Sequence, residues 1–267
     1  MTRDWQPDLS RGLFETLLVA EGEPVEAEAH LRRLTRSLQA LYLLALPDDA
    51  GERLRAAAAG LALGRLRLTA GPPDEITGWP GPIIARFGID AAEADPANVF
   101  PSQGARLRTR SLPGGLGGHK WIDRPGLDRP ARDDAGPLLV DEGEVLEAGW
   151  ANVFAVRGGT LFTPPLDGRI LPGTTRAALL AVAPDLGVEA QERRLRARDL
   201  LGADEVFLSG SIRGIEPAIE LDEQPLAGSG PLSHRLADGL RRRWGLPDAV
   251  GALPTPATAP PPDPPAR

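Results

Sequence analysis

Apolar and polar residues change their period several times along this chain, and each change marks an element. Residues 13–19 are almost continuously apolar and predict a strand, with Glu21-Gly22-Glu23-Pro24 as the turn that follows. Leu31, Leu34, Leu38 and Leu41 recur at spacings of three and four, so residues 27–45 predict a helix with one apolar face. Arg32, Arg33 and Arg36 lie around its other sides. Residues 51–63 predict a second, Ala-rich helix. Residues 65–70 alternate, with Leu66 and Leu68 on one face and Arg65, Arg67 and Thr69 on the other, as a strand requires. Further strands are predicted at 83–87 and 106–110.

A glycine-rich loop, Pro113-Gly114-Gly115-Leu116-Gly117-Gly118, then delivers His119 and Lys120, and a domain boundary fits near 105–118. Beyond it the pattern predicts strands at 137–140, 151–156 and 161–163, the last two forming a hairpin about Arg157-Gly158-Gly159. Pro172-Gly173-Thr174 opens a helix that runs to 183, with Thr174 as its N-cap. Strands at 188–192, 205–209 and 218–221 and a helix at 233–244 complete the pattern. Seven of the seventeen residues in 251–267 are Pro, a composition unable to bury a face, which predicts a disordered tail. The chain reads as α+β, with a smaller domain over 1–112 and a larger one over 113–250.

Composition narrows the chemistry. The 267 residues include no Cys, which removes thiol nucleophiles, Cys-based metal sites and disulfides. The three histidines, His30, His119 and His234, are far apart and give no helical metal pair, so no metal site is expected. A net charge of −7 argues against nucleic acid as a partner. No apolar run reaches the ~20 residues that cross a bilayer, and the N-terminus has no signal-peptide core, so a cytoplasmic protein is expected. Among 30 basic residues Lys120 is the only lysine. It is either a surviving surface cation or an amine kept for chemistry that a guanidinium cannot perform.

Several motifs fail. Gly118-His119-Lys120-Trp121 is not a Walker A loop, which needs Gly before the Lys and a hydroxyl after it. No Gly-x-Ser-x-Gly elbow is present. Pro172-Gly173-Thr174-Thr175-Arg176 places free N–H groups and two hydroxyls at a helix start, which suits an anion, or is an ordinary capped helix. Glu147 precedes an apolar strand, either as a solvated turn carboxylate or as an acid facing a site. Asn152 on its own reads as a turn or strand-edge amide. Taken together, one amine, an anion cradle, an Arg-bearing helix and a carboxylate match what pyridoxal phosphate requires.

In order and spacing, Gly12-Leu13-Phe14-Glu15-Thr16, His30-Leu31-Arg32-Arg33-Leu34, Lys120 in its loop, residues 147–154, Thr163-Pro164-Pro165-Leu166, residues 171–176 and residues 203–211 resemble the class IV aminotransferases, the fold-type IV pyridoxal-phosphate enzymes. The resemblance implies a two-domain, D-amino-acid-aminotransferase-like architecture, a homodimer and pyridoxal 5'-phosphate as cofactor. By the same resemblance Lys120 carries the cofactor as a Schiff base and moves the proton. Glu147 faces the pyridine nitrogen, and Arg33, Thr174, Thr175 and Ser211 hold the phosphate. Arg65, and after it Arg213, are the candidates for a substrate carboxylate. Many aminotransferases of the family place a Tyr shortly after the lysine. Here Lys120-Trp121-Ile122-Asp123-Arg124 has none, and Arg at the fourth position is similar to the aminodeoxychorismate lyases. The implied activity is elimination of pyruvate from aminodeoxychorismate to give 4-aminobenzoate for folate synthesis. The alternatives are a transaminase for branched-chain or D-amino acids and a non-catalytic protein that binds the vitamer.

Overall fold

The alternation in residues 65–70 and the apolar run before it build one antiparallel sheet. In this computed structural model, which describes residues 5–74, 82–130 and 134–246, the first elements are β1 (Leu13–Ala20), β2 (Glu23–Pro24), α1 (Ala27–Tyr42), α2 (Ala50–Ala58), β3 (Leu63–Gly71) and β4 (Arg86–Glu93). The strands are ordered β2-β1-β3-β4. Period two divides β1 between two faces. Leu13, Leu17 and Val19 pack with Leu66 and Leu68 of β3 against Leu34, Leu38 and Leu54 of the helices. On the opposite face, Leu18 and Ala20 join the core that contains Phe154 and Leu179, which couples this sheet to the rest of the chain.

The second sheet is larger. It contains β5 (Ala105–Ser111), β6 (Gly136–Asp141), β7 (Glu144–Ala148), β8 (Ala151–Arg157), β9 (Thr160–Thr163), β10 (Ala190–Glu192), β11 (Leu195–Arg196), β12 (Glu205–Gly210), β13 (Gly214–Leu221) and β14 (Gln224–Pro225). The helices between and after these strands are α3 (Thr174–Val182), α4 (Ala197–Leu201) and α5 (Pro231–Arg243). Strand order runs β8-β12-β13-β5-β6-β7, and β7 also pairs with β8. That last pairing closes a barrel, leaving no free edge along this path. The closing registers are Glu147 with Asn152 and Ala148 with Ala151. Outside the ring, Phe154 and Phe207, directly opposite in register, stack with centroids 5.2 Å apart and pack beneath α3 and α5.

Several sequence expectations need correction. Helix α1 stops at Tyr42 because Leu43 turns into the left-handed region. Helix α2 stops at Ala58, and the chain has entered β3 by Leu63. The strand expected at 83–87 begins at Arg86 and runs to Glu93; it is an edge strand with much of its surface in solvent, so it lacks apolar alternation. Strand β7 is absent from the sequence pattern, which offers only Glu147 ahead of an apolar strand. Its residues 145–148 are all buried, so the alternation that marks a one-sided strand is missing. The N-cap of α3 is Gly173, not Thr174, whose hydroxyl is bonded elsewhere. β5 lies on the N-terminal side of the expected boundary at 112, yet it pairs in the second sheet, so the Lys120 loop connects two parallel barrel strands. Residues 251–267, expected to be disordered, lie outside the described residues.

Helix α5 is fastened to the barrel by one buried carboxylate. Glu205 at the start of β12 accepts from the N–H groups of Gly230 (3.0 Å), Leu232 (2.8 Å) and Ser233 (2.7 Å). These are amides that a helix start leaves without partners. Glu205→Ala should lower stability by about 2–3 kcal/mol, because buried amides lose a charged acceptor. Urea unfolding should show a lower midpoint with an unchanged slope.

Candidate active site

Backbone pairing places Lys120 first. The N–H of Phe14 donates to Lys120 O at 2.9 Å, Leu13 bridges Trp121, and the N–H of Ile122 donates to Gly12 O at 3.1 Å. The loop is thus pinned as a short extra strand against the start of β1. Its glycines permit the approach. Gly115 has φ +66, and a Cβ there would lie 2.0 Å from Arg169 O.

Lys120 lines a cleft of about 580 Å³ together with Arg33, Arg124, Glu147, Asn152, Thr174, Thr175, Ser209 and Ser211. Burial, with Arg33 next in size, pushes the Lys120 ammonium down to about 7. Glu147 moves the other way. Burial pushes its carboxyl up to about 8, against the N–H of Leu171, which donates to Oε1 at 3.1 Å. Asn152 donates to Glu147 Oε2 (3.2 Å) and to Leu171 O (3.0 Å), so both carboxyl oxygens are fixed at the seam where the barrel closes.

The opposite end of the cleft is the start of α3. Gly173 packs so closely on Asn152 that a Cβ would lie 2.0 Å from Oδ1. No side chain caps this helix, so its first N–H groups and dipole are directed at whatever the cleft holds.

Glu15 is a functional candidate that the sequence reading passed over. It is buried on β1 and accepts from Arg33 Nε (2.8 Å), Arg33 Nη2 (2.6 Å) and His30 Nδ1 (2.7 Å). Although burial opposes it, the adjacent Arg33 and His30 hold this carboxyl well below the usual range. The only signal was the spacing of His30 and Arg33, one turn apart on the helix that follows this strand. Burial lowers the His30 imidazole, so it is neutral at pH 7. Because Glu15 only accepts, Nδ1 carries the proton and Nε2 accepts from Thr174 Oγ1 at 3.1 Å. Thr174 Oγ1 then accepts from Ser211 Oγ at 3.2 Å. Arg33 also donates to Pro172 O at 2.8 Å. One carboxylate therefore orders four residues that reach the start of α3.

Six residues named from the sequence meet here: Arg33, Lys120, Glu147, Thr174, Thr175 and Ser211. Two do not. Arg65 is paired with Asp90 (3.0 Å) and partly exposed, while Arg213 is engaged with Glu216 (3.0 Å) and Asn98 (2.8 Å). Neither lines the cleft. No group of three His, Asp or Glu side chains is placed for a metal among the described residues. The donor set does fit pyridoxal phosphate: a lysine whose ammonium is lowered to about 7, a fixed carboxyl, and an uncapped helix start for a phosphate. Ser209 Oγ, buried in the cleft wall with no hydrogen-bond partner among the described residues, is a further polar group able to meet a ligand.

Comparison with known proteins agrees. Residues 126–221 match the family model for amino-transferase class IV. A probable branched-chain-amino-acid aminotransferase of Synechocystis is 39% identical over 103 residues, which covers 39% of this chain and only 34% of the relative's length. A solved 4-amino-4-deoxychorismate lyase from Pseudomonas aeruginosa is 31% identical, with a TM-score of 0.68 over 87% of this chain and 91% of that one. A hypothetical aminotransferase from Mycobacterium tuberculosis in its PLP-bound form is 27% identical, with a TM-score of 0.74 over 88% and 89%.

The lowered Lys120 pKa has a direct readout. In cofactor-free protein, acylation of the Lys120 peptide should rise with a midpoint near pH 7, whereas a lysine at the ordinary value of 10.5 would stay unreactive there. Folded Lys120 holds its proton less tightly than unfolded Lys120. Unfolding therefore takes up a proton between about 7 and 10.5, and this group's contribution to stability grows as pH rises through that window.

Proposed function

The chain belongs to the class IV aminotransferase family, and from that premise we propose that it is a lyase that eliminates pyruvate from 4-amino-4-deoxychorismate to give 4-aminobenzoate. Its cofactor is pyridoxal phosphate. When bound, this cofactor supplies an aldehyde that receives amines and a pyridine ring that withdraws electrons from a carbon losing a proton.

The chain's own residues do the rest. Thr174 and Thr175 offer backbone N–H groups to the phosphate, and the Thr174 hydroxyl is kept for His30. Arg33 adds a cation held in place by Glu15. Glu147 carries its proton at neutral pH and shares it with the pyridine nitrogen, with Asn152 and Leu171 preventing the carboxyl from turning away. Lys120 carries the cofactor. When not bonded to the cofactor, Nζ is about half neutral at pH 7 and so able to accept the proton from the substrate's C4. The bond between the ring carbon and the enolpyruvyl oxygen breaks, the proton taken from C4 balances the one the enolpyruvate takes up to become pyruvate, and aromatisation of the ring drives the step.

The observation that carries elimination over transamination is Arg124. It lies in the cleft wall four residues after Lys120, and no tyrosine lines that cleft. Tyr42, the chain's only tyrosine, donates to Leu9 O instead. The match to the Pseudomonas lyase over 91% of its length supports the same reading. The second reading is an aminotransferase for branched-chain or D-amino acids, favoured by the Synechocystis relative. Under either reading the active species is a homodimer of two-domain chains in the cytoplasm. Among the described residues no helix is long and apolar enough to cross a membrane.

Incubation with aminodeoxychorismate and no 2-oxo acid should release pyruvate and 4-aminobenzoate in equal amounts. Lys120→Ala should reduce the rate by about 10³-fold or more, as expected for loss of a positioned base. No 4-aminobenzoate, together with amino transfer from an amino acid to a 2-oxo acid, would establish the second reading instead.

A further inference from the structure

A second cavity adjoins the cleft. It is a groove of about 1060 Å³ between α1 and the start of α3, and it shares Arg33, His119, Gly173 and Thr174 with the cleft. One stripe of α1 forms a wall of it: Ala29, Arg32, Arg33, Arg36, Ser37 and Ala40 recur at spacings of three and four. Arg176 and Ala177 of α3 line it too. His119, which borders both cavities, is tied to α1 by a 2.9 Å hydrogen bond between its Nδ1 and Ser37 Oγ.

Charge in the groove has one sign. Four arginines line it, and among the described residues no carboxylate does. Two of the four are matched by carboxylates that do not line the groove: Glu15 holds Arg33 at 2.6 Å and Glu192 holds Arg176 at 2.7 Å. Arg32 has the exposed Glu28 at 3.0 Å, an i,i+4 surface pair of small worth. Arg36 is exposed and has no hydrogen bond or ion pair among the described residues. Burial lowers the His119 imidazole, so at pH 7 the positive charge is that of the arginines. The chain as a whole carries −7. An approaching phosphate is therefore repelled on average, and it is drawn in where positive charge is concentrated in a concave wall. The groove supplies that concentration directly beside the uncapped start of α3.

We infer that this groove is an outer binding site for phosphate monoesters, which captures the cofactor by its phosphate and delivers it to the neighbouring start of α3. Arg32 and Arg36 act before the cofactor is seated and do not hold it afterwards, since neither lines the cleft. The inference goes beyond the functional reading above and is the same for a lyase and a transaminase.

Stopped-flow absorbance on the full chain stripped of cofactor separates capture from holding. At about 0.01 M ionic strength, pyridoxal 5'-phosphate should associate about tenfold more slowly with the Arg32→Gln/Arg36→Gln double variant than with the parent protein. The gap should close towards about 0.15 M, as salt screens the exposed charges. The release rate should stay within about twofold of the parent's, as expected when the steering charge lies outside the final site. Pyridoxal, which has no phosphate, should associate with both proteins at the same rate. Equal final absorbance shows that the double variant has folded and keeps its cofactor site. Equal association rates at low salt, an equal slowing for pyridoxal, or an effect confined to release would each overturn the assignment. Failure of the parent protein to take up pyridoxal 5'-phosphate would remove the cofactor site and this inference with it. No turnover is read, so transamination in place of elimination would overturn the functional reading alone.

Discussion

One buried carboxylate, Glu15, joins the two halves of this site. Its oxygens receive two bonds from Arg33 and one from His30, and those residues reach Pro172 O and the Thr174 hydroxyl on the far side of the cleft. The arrangement is costly to disturb. Removing one partner of a buried, hydrogen-bonded pair leaves an uncompensated charge, a loss of about 3–5 kcal/mol. It also settles protons: an ionised Glu15 makes His30 a donor through Nδ1 and an acceptor through Nε2, which commits the Thr174 proton to His30 and the Ser211 proton to Thr174. A carboxylate on β1 thereby fixes hydroxyl orientations at the start of α3.

Electrostatics in the cleft follow from what surrounds that anchor. Arg33 is neutralised by Glu15 yet still adds positive potential at Lys120, which with burial keeps the amine near pH 7. Glu147 has only partial compensation, so burial raises it to about 8. An amine that releases its proton easily and a carboxyl that keeps one are thus set in the same cleft by environment alone. Barrel closure supplies the rigidity. Glu147 and Asn152 face each other where β7 meets β8, and the Lys120 loop is tied by backbone bonds to the first sheet.

Much of this was legible in the sequence, for a physical reason. Lys120 stands out because no other lysine dilutes it, and the start of α3 carries its anion-binding character in Pro172-Gly173-Thr174-Thr175. What was not legible depends on partners distant in the chain. Nothing local distinguishes Glu15 from a solvated strand residue until α1 packs over it. Arg65 and Arg67 are equivalent by period, yet in the fold Arg65 pairs with Asp90 on β4 while Arg67 lies over the Phe14 ring. Strand β7 lacks alternation because residues 145–148 are all buried, and its pairing with β8 exists only once the barrel has closed.

The central claim is that the cleft around the single lysine is the cofactor site and that Lys120 carries the cofactor. Borohydride reduction of the cofactor-loaded protein followed by peptide mapping tests it directly, since only the N-terminal amine competes with that one side chain. A phosphopyridoxyl group on the peptide containing Lys120, and nowhere else, is the result this account predicts. A label on the N-terminus, or loaded protein that reduction leaves unlabelled, would contradict it.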